Sequence, residues 1–480
     1  MDAAASSPEA TTILVEHEQE TSTTTERLRE ANERLETRIS MIRTRIHRFP
    51  HRLRGIGGAG DRYIVPSVVA IGPYHHGLPH LQEMEEVKQA AAYRLCRASG
   101  HSVEEVYDKI LSVAGDARRC YGGGDDAPPL VAGLSDAEFA TMMFLDGCFL
   151  VWYLGGGDAD EDDSSLLFAG LVLSSEPNID KDIFMLENQI PWLVLHALME
   201  ITNKDVRYVH SRPWELRPQK EKKRHWRRLL QWRRRRLPPD PPSTADEDIV
   251  TRSNVHITED YRPPHLLGLL RSILIRSMPP EKREGKFTFS ASTPLTTTSR
   301  TAFELAQIGI KLTASTARWF ADMNCHKKPF VLGELSLSPL YLTDVTTSWL
   351  VNMAALESVE ATAADSFGKD GYVISSYLSI LAMLMDQEED AQELRRSGVI
   401  KTNFTNTETL AFFKGLGQHL RLGINYYNIL AEIDTYIRER PIMIAVHKFI
   451  YNNYRYIVAL LSIASVLVGI FKALYSLKKP

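Results

Sequence analysis

Apolar positions recur at helical spacing along most of this chain. Steps of three and four predict helices over 83–98, 102–115, 135–154, 183–200 and 264–276, and again over 346–360, 371–395, 406–420 and 423–447. After residue 285 the texture changes. Lys286–Phe289, Ile308–Leu312, Trp319–Asp322 and Phe330–Leu337 are short runs that predict strands or extended turns. The expected fold is mainly α: a large helical domain over 50–450, a small β element around 286–340, and a C-terminal transmembrane helix. No internal repeat is visible.

The N-terminal region carries a different period. Leu28, Leu35, Ile42 and Phe49 repeat at seven, with Asn32, Ile39 and Ile46 between them. This predicts an amphipathic helix over 25–49. It could form a short coiled coil with Asn32 fixing the register. Three heptads are marginal for an independent coiled coil, so packing on the same domain is the preferred reading. Residues 1–24 are rich in Ala, Ser, Thr and Glu and read as a disordered tail. They lack the basic start and the apolar stretch of roughly 7–15 residues that mark a signal peptide. The body is therefore expected in the cytosol.

The last segment is the most apolar. Ile457–Phe471 (IVALLSIASVLVGIF) is fifteen residues without a charge, and Ala473–Tyr475 extend the run past Lys472. Ile457, Leu460, Leu461, Val466, Leu467, Ile470 and Phe471 would face lipid. About 20 residues span a ~30 Å hydrocarbon core, so the run is at the short end. Lys472 can snorkel, and Tyr454, Tyr456 and Tyr475 suit the two interfaces. A buried helix would be amphipathic; this one is apolar all round. Residues 451–480 thus read as a membrane anchor, inserted after synthesis, rather than a buried terminal helix. Lys448 and Arg455 precede the run and Lys472, Lys478 and Lys479 follow it, so flanking charge does not favour an N-in arrangement. The missing signal peptide does.

Composition narrows the classes. The 480 residues carry 56 Lys+Arg against 60 Asp+Glu, a net of −4, which excludes nucleic-acid binding by overall charge. Hydrophobic residues make up 44%, too many for a disordered scaffold. Four cysteines exclude a disulfide framework and fit a reducing compartment. A mean hydropathy of −0.21 excludes a polytopic transporter.

Three places could carry chemistry. GPYHHG (Gly72–Gly77), followed by His80 and Glu83, is the densest titratable cluster. His75 and His76 could be an acid–base pair or metal ligands. Gly77 and Pro79 break helical ligand spacing, so a turn whose side chains bond the backbone is preferred. Asp146 lies alone in the apolar run MMFLDGCFLVWYL, and Glu187, Asn188 and Gln189 lie inside IFMLENQIPWLVLHAL. Asp146 and Glu187 could be a glycosidase-like dyad. A polar network tying two core helices is the preferred reading. The third place is basic: Lys220, Lys222, Lys223, Arg224, Arg227, Arg228, Arg233, Arg234, Arg235 and Arg236, interleaved with Trp226 and Trp232, inside a Pro-rich insertion at 218–248. A solvated insertion loop is preferred over a nuclear-localisation patch, RNA contact or attraction to an anionic leaflet. Phosphate loops, nucleophile elbows, His-Glu-x-x-His and Cys-x-x-Cys pairs do not occur. No cofactor and no metal are expected.

Together these stretches resemble the plant family called domain of unknown function 247. The resemblance rests on IHRFP (Ile46–Pro50), PSVVAIGPYHHG (Pro66–Gly77), MFLDGCFL (Met143–Leu150), DIFMLENQIPWLVL (Asp182–Leu195), HLLGLL (His265–Leu270), ELAQIGIKL (Glu304–Leu312), GYVISSY (Gly371–Tyr377) and the apolar C-terminus. The basic insertion and the STPLTTTSRTAFEL stretch depart from the family pattern. The resemblance implies a plant protein with one C-terminal transmembrane segment. Some family members are implicated in grass self-incompatibility as recognition determinants. It supplies no catalytic residues. The expected function is a membrane-anchored, cytosol-facing protein acting through protein interaction or recognition. The alternative is a hydrolase using His75/His76 and Asp146/Glu187. Expected partners are membrane lipid and a protein, with the oligomeric state open and nucleic acid disfavoured.

Overall fold

The structure is a computed structural model. It describes residues 24–36, 44–55, 60–122, 129–155, 170, 172, 174–204, 206, 263–275, 300–315, 319–327, 333–360 and 372–477. The 1–24 tail (except Thr24), Ile39 and Ile42 of the heptads, the 218–248 insertion with its basic run, the acidic stretch Asp158–Asp163, the Lys286–Phe289 run and Lys478–Lys479 lie outside the described residues.

The fold is mainly α. Helix α1 (Glu83–Ser99) ends at Gly100, whose φ of 79° closes the last turn. Helix α2 (Val103–Arg119) starts from a Ser102/Glu105 capping box, and α3 (Asp136–Leu154) from a Ser135/Glu138 box. These three pack with α5 (Trp192–Thr202) into one bundle. Helix α3 is apolar and long enough to cross a membrane, yet it is the bundle's core: Phe139, Met143, Phe149 and Val151 are fully buried. A short helix α4 (Glu176–Asp182) precedes the LENQIP segment.

The second half is built on α8 (Asp344–Glu360), which packs on α4, on α6 (Leu266–Ile275) and on α9 (Val373–Met383). Its Trp349 is fully buried and donates to the Asp180 carbonyl at 2.8 Å. Helix α9 in turn packs on α11 (Asn406–Gly417) and α12 (Ile424–Glu439). Helices α7 (Ala302–Gln307) and α10 (Glu388–Arg396) pair beside them.

The β element is small. Strand β1 (Ile310–Ala314) pairs parallel with β3 (Gly333–Leu337), and β2 (Asn324–Lys327) pairs antiparallel on β3's other edge. Strand β4 (Leu340–Leu342) pairs parallel with β5 (Ile400–Thr402), so a strand also forms outside 286–340. Trp319–Asp322 is a turn, not a strand.

Three predicted helices are interrupted. In 183–200, residues 183–191 leave the helix and it restarts at Trp192, because Pro191 cannot donate and the segment's polar side chains bond backbone groups instead. In 371–395, a break follows Leu384; Asp390 reaches back to the Asp386 and Gln387 amides, both at 3.1 Å, and starts a new helix there. In 423–447, Arg440 leaves the helix before Pro441, which opens α13 (Pro441–Leu477).

The N-terminal heptads do not run through. Residues 24–36 are helical and exposed, with Leu28 at 68% and Leu35 at 53%. Asn32 bonds Glu36 on its own helix. By Ile46 the chain has left helical geometry and entered the core; Ile46 and Phe49 are both buried. Its amides are taken there by the Cys120 carbonyl, 2.8 Å from Ile46 N, and by Glu187.

Candidate functional site

The motifs between Ile46 and Leu195 meet along one buried polar seam. Its spine is the 183–191 segment. Asn188 Oδ1 accepts from Ile71 N at 2.7 Å, and its Nδ2 donates to the Val69 and Asp182 carbonyls, both at 3.0 Å. Gln189 Nε2 donates to Ile183 O (2.7 Å), Met185 O (2.8 Å) and Asn188 O (2.9 Å), while its Oε1 accepts from Leu267 N at 3.0 Å. Backbone groups that regular structure would pair are paired here by two carboxamides. Asn352 on α8 closes the far side: it accepts from Leu186 N at 2.8 Å and donates to Tyr63 O at 3.0 Å.

Asp182 is the anchor of the opposing loop. Its Oδ2 accepts three successive amides, Ser67 (2.9 Å), Val68 (2.7 Å) and Val69 (3.1 Å), and Ser67 Oγ adds a bond at 3.1 Å. Burial pushes the Asp182 carboxyl up, and these amides pull it back.

Asp146 projects from α3 toward the same loop. Its Oδ2 accepts from Gly72 N at 2.7 Å, and its Oδ1 lies 2.7 Å from Lys88 Nζ on α1. Lys88 also reaches Glu85 at 2.6 Å and is fully buried. Burial pulls the Lys88 ammonium down, but the Asp146 and Glu85 carboxylates outweigh it, so its pKa ends above the ordinary lysine value. Burial also lifts the Asp146 carboxyl against the pull of Lys88. The short contacts to an ammonium and an amide favour the ionised pair.

Glu187 lies in the loop, 4% exposed. Its Oε1 accepts from Phe49 N at 2.7 Å and faces Arg54 at 3.5 Å. His75 Nε2 lies 3.8 Å from Oε2, beyond hydrogen-bond reach, and has no partner. Burial pulls the His75 ring down to about 4, aided by the Arg48 guanidinium. The ring is therefore neutral at pH 7.

The four candidate residues thus divide. His75, Asp146 and Glu187 are buried at 6%, 1% and 4% exposure. His76 is exposed and stands apart from them. Among the described residues, no hydrogen bond or ion pair joins Asp146 to Glu187; each closes a different loop. Both Asp146 oxygens and Glu187 Oε1 are already engaged by amides and cations, which leaves little to offer a substrate. His80 caps the turn through Nε2 and the Pro66 carbonyl at 3.1 Å. No group of three or more His, Cys, Asp or Glu among the described residues could hold a metal ion.

Sequence reasoning did not single out Lys88, Asp182, Asn352 or Glu357. Lys88 had a signal: it stands in the apolar stripe Met84–Val87–Ala91–Leu95, where a solvated lysine has no place. Glu357 had none. On α8 it takes Arg271 at 3.0 and 3.1 Å and caps the N-terminus of α9 through Ile374 N (3.0 Å), Ser375 N (2.8 Å) and Ser375 Oγ (2.7 Å).

Helix α13 is the other distinct feature. Ile444 packs on the core, His447 Nδ1 lies 3.0 Å from Gln307 O, and Tyr451 packs edge-on against Phe303 at 5.9 Å. Beyond Tyr451 the helix leaves the body. Ile457 is half-buried, while Leu460, Leu461, Val466, Leu467, Ile470 and Phe471 are 52–71% exposed. The stretch Pro441–Lys472 is long and apolar enough to cross a membrane, and none of it is buried.

Fold and site together define a mainly helical protein: a body whose motif residues knit one polar seam, and a projecting apolar helix. The chain belongs to the family of plant proteins of unknown function called domain of unknown function 247, whose profile matches residues 46–468. It is similar to the UPF0481 protein At3g47200 of Arabidopsis thaliana, with 24% identity over 383 residues, 77% of this chain and 70% of that one. A putative UPF0481 protein of the same plant, At3g02645, is 28% identical over 141 residues, 29% of this chain and 24% of the relative. No solved structure matches.

Proposed function

We propose that this chain is a membrane-anchored protein whose helical body stands on the cytosolic side and works through protein interaction or recognition. The observation that carries the reading is α13. A helix of 37 residues is about 55 Å long, and from Val458 to Phe471 it presents exposed apolar side chains on every face. Such a surface is stable in lipid and a liability in water. The seam supports the second half of the reading. Its carboxylates and carboxamides bond backbone, as fold-specifying groups do, and the hydrolase alternative would need water at His75, Asp146 and Glu187. Free thiols at Cys96, Cys120, Cys148 and Cys325 suit the reducing side of a membrane.

Alkaline carbonate extraction tests it, with the full chain beside one stopped before Tyr451. The full chain should stay with the membrane and the shortened one should be released. Release of both overturns the anchor. Protease added outside sealed microsomes should digest the body; a protected body overturns the orientation. Partner capture in detergent then follows.

A further inference from the structure

Where the docked half of α13 meets helix α7, the surface is aromatic and unclaimed. Ile444, His447 and Tyr451 lie at i, i+3 and i+7 and hold the helix to the body. No break separates this stripe from the apolar run, because α13 is continuous from Pro441 to Leu477. The body therefore has a fixed height above whatever plane the helix enters.

That height follows from the charges. If Lys472 marks the far edge of a ~30 Å core, the near edge falls about 20 residues earlier, at Asn452. If Lys472 snorkels and the uncharged run starts the core, the near edge falls at Ile457. Tyr451 then lies between about 2 and 9 Å outside the hydrocarbon, and one headgroup layer is about 5–8 Å thick. The last contact between helix and body thus sits at headgroup depth in the first placement and at the outer edge of that layer in the second.

The side chains at that depth fit it. Phe303, at the start of α7, is 47% exposed despite packing on Tyr451, itself 40% exposed. Tyr454 and Tyr456 are 63% and 73% exposed, and Arg455 is exposed beside them. Exposed aromatic rings with a cation among them are the composition of a membrane interface. Phe303 is also held in place: its amide donates to Asp390 at 2.9 Å, which ties α7 to α10.

We propose that Phe303, with Tyr451, Tyr454, Tyr456 and Arg455, forms a second membrane contact in the headgroup layer of an anionic bilayer, so that the α7 face of the body rests on the membrane rather than hanging from a tether. This rests on the anchor reading above.

A nitroxide depth measurement tests it. Full-length protein with Cys120→Ser and Cys325→Ser, the two half-buried thiols, receives one label site at a time: Phe303→Cys, Leu461→Cys, or Tyr93→Cys on α1, where Tyr93 is 62% exposed. Each is reconstituted in vesicles of equal parts phosphatidylcholine and phosphatidylserine. Accessibility to oxygen against a nickel chelate should place Leu461 in the hydrocarbon, Tyr93 in water and Phe303 at the interface. A Phe303 label that reads like Tyr93, with Leu461 still in hydrocarbon, overturns the seat and leaves the anchor standing. A Leu461 label in water overturns both. Phe303→Trp, close in shape, gives an independent reading: it should add quenching by lipid brominated near the headgroup over the wild-type tryptophan background, and unchanged quenching counts against the seat.

Discussion

At Gly72 the chain has no room for a β-carbon. Its φ is +76°, and a Cβ there would stand 2.4 Å from the Gln189 carbonyl oxygen and 2.9 Å from the Tyr121 hydroxyl. Tyr121 OH donates to that same carbonyl at 2.9 Å, so neither neighbour can move without breaking a buried bond. Gly77, five residues on, also has a positive φ, +82°, but nothing lies within 4 Å of its Cβ position. Gly72→Ala combines backbone strain with overpacking and should cost about 2–4 kcal/mol. Gly77→Ala carries strain alone and should cost about 1 kcal/mol. Urea unfolding of the full chain in detergent reads both; equal losses would mean the close approach is not tight. In the sequence both glycines appear only as turn residues. What separates them is contact with residue 189, which no local pattern reports.

At the scale of elements, long periodic helices were legible and their interruptions were not. The Asp136–Leu154 helix follows from its apolar run and its Ser135/Glu138 box. The 183–191 segment has the same apolar texture as a helix, yet Asn188 and Gln189 spend their amides on carbonyls from Val69 to Asn188. That choice is made by tertiary partners. The candidate site was legible in part: His75, Asp146, Glu187, Asn188 and Gln189 all lie on the seam. Their pairing was not, because Asp146 meets Lys88 across two helices and Glu187 meets Phe49 across 138 positions. The α1–α3 joint gives a prediction. Lys88→Met strands a buried carboxylate at Asp146 and should cost about 3–5 kcal/mol. Adding Asp146→Asn removes the stranded charge, so the double variant should be more stable than the sum of the singles by about 1–3 kcal/mol. Strictly additive losses in a denaturation cycle would sink the ion pair.

For the molecule as a whole, two buried neutral histidines contribute to the loss of stability on the acid side. His75 is held down to about 4 and the fully buried His265 to about 3, both below the ordinary 6.5. For His265, burial is the main cause and His47 adds to it; its Nδ1 accepts from Gly268 N at 3.2 Å. The unfolded chain binds protons to these rings first. Their contribution is therefore complete above pH 6.5 and is lost as pH falls through about 4 for His75 and about 3 for His265. The difference in unfolding free energy between wild type and His75→Gln should shrink over that window; a constant difference would mean His75 is not held neutral.

The far side of the seam has a consequence for synthesis. Asn352 donates to the Tyr63 carbonyl, 289 positions earlier. A ribosome adding about 5–20 residues per second takes roughly 15–60 s to cover that interval. Through it, the loop bearing the Asp182 bonds and the Leu186 amide waits for a helix that has not yet been made. The first half of the chain therefore cannot finish folding as it emerges. Its unpaired groups stay exposed until α8 arrives, so the yield of folded protein should fall when chaperones are depleted at an unchanged rate of translation.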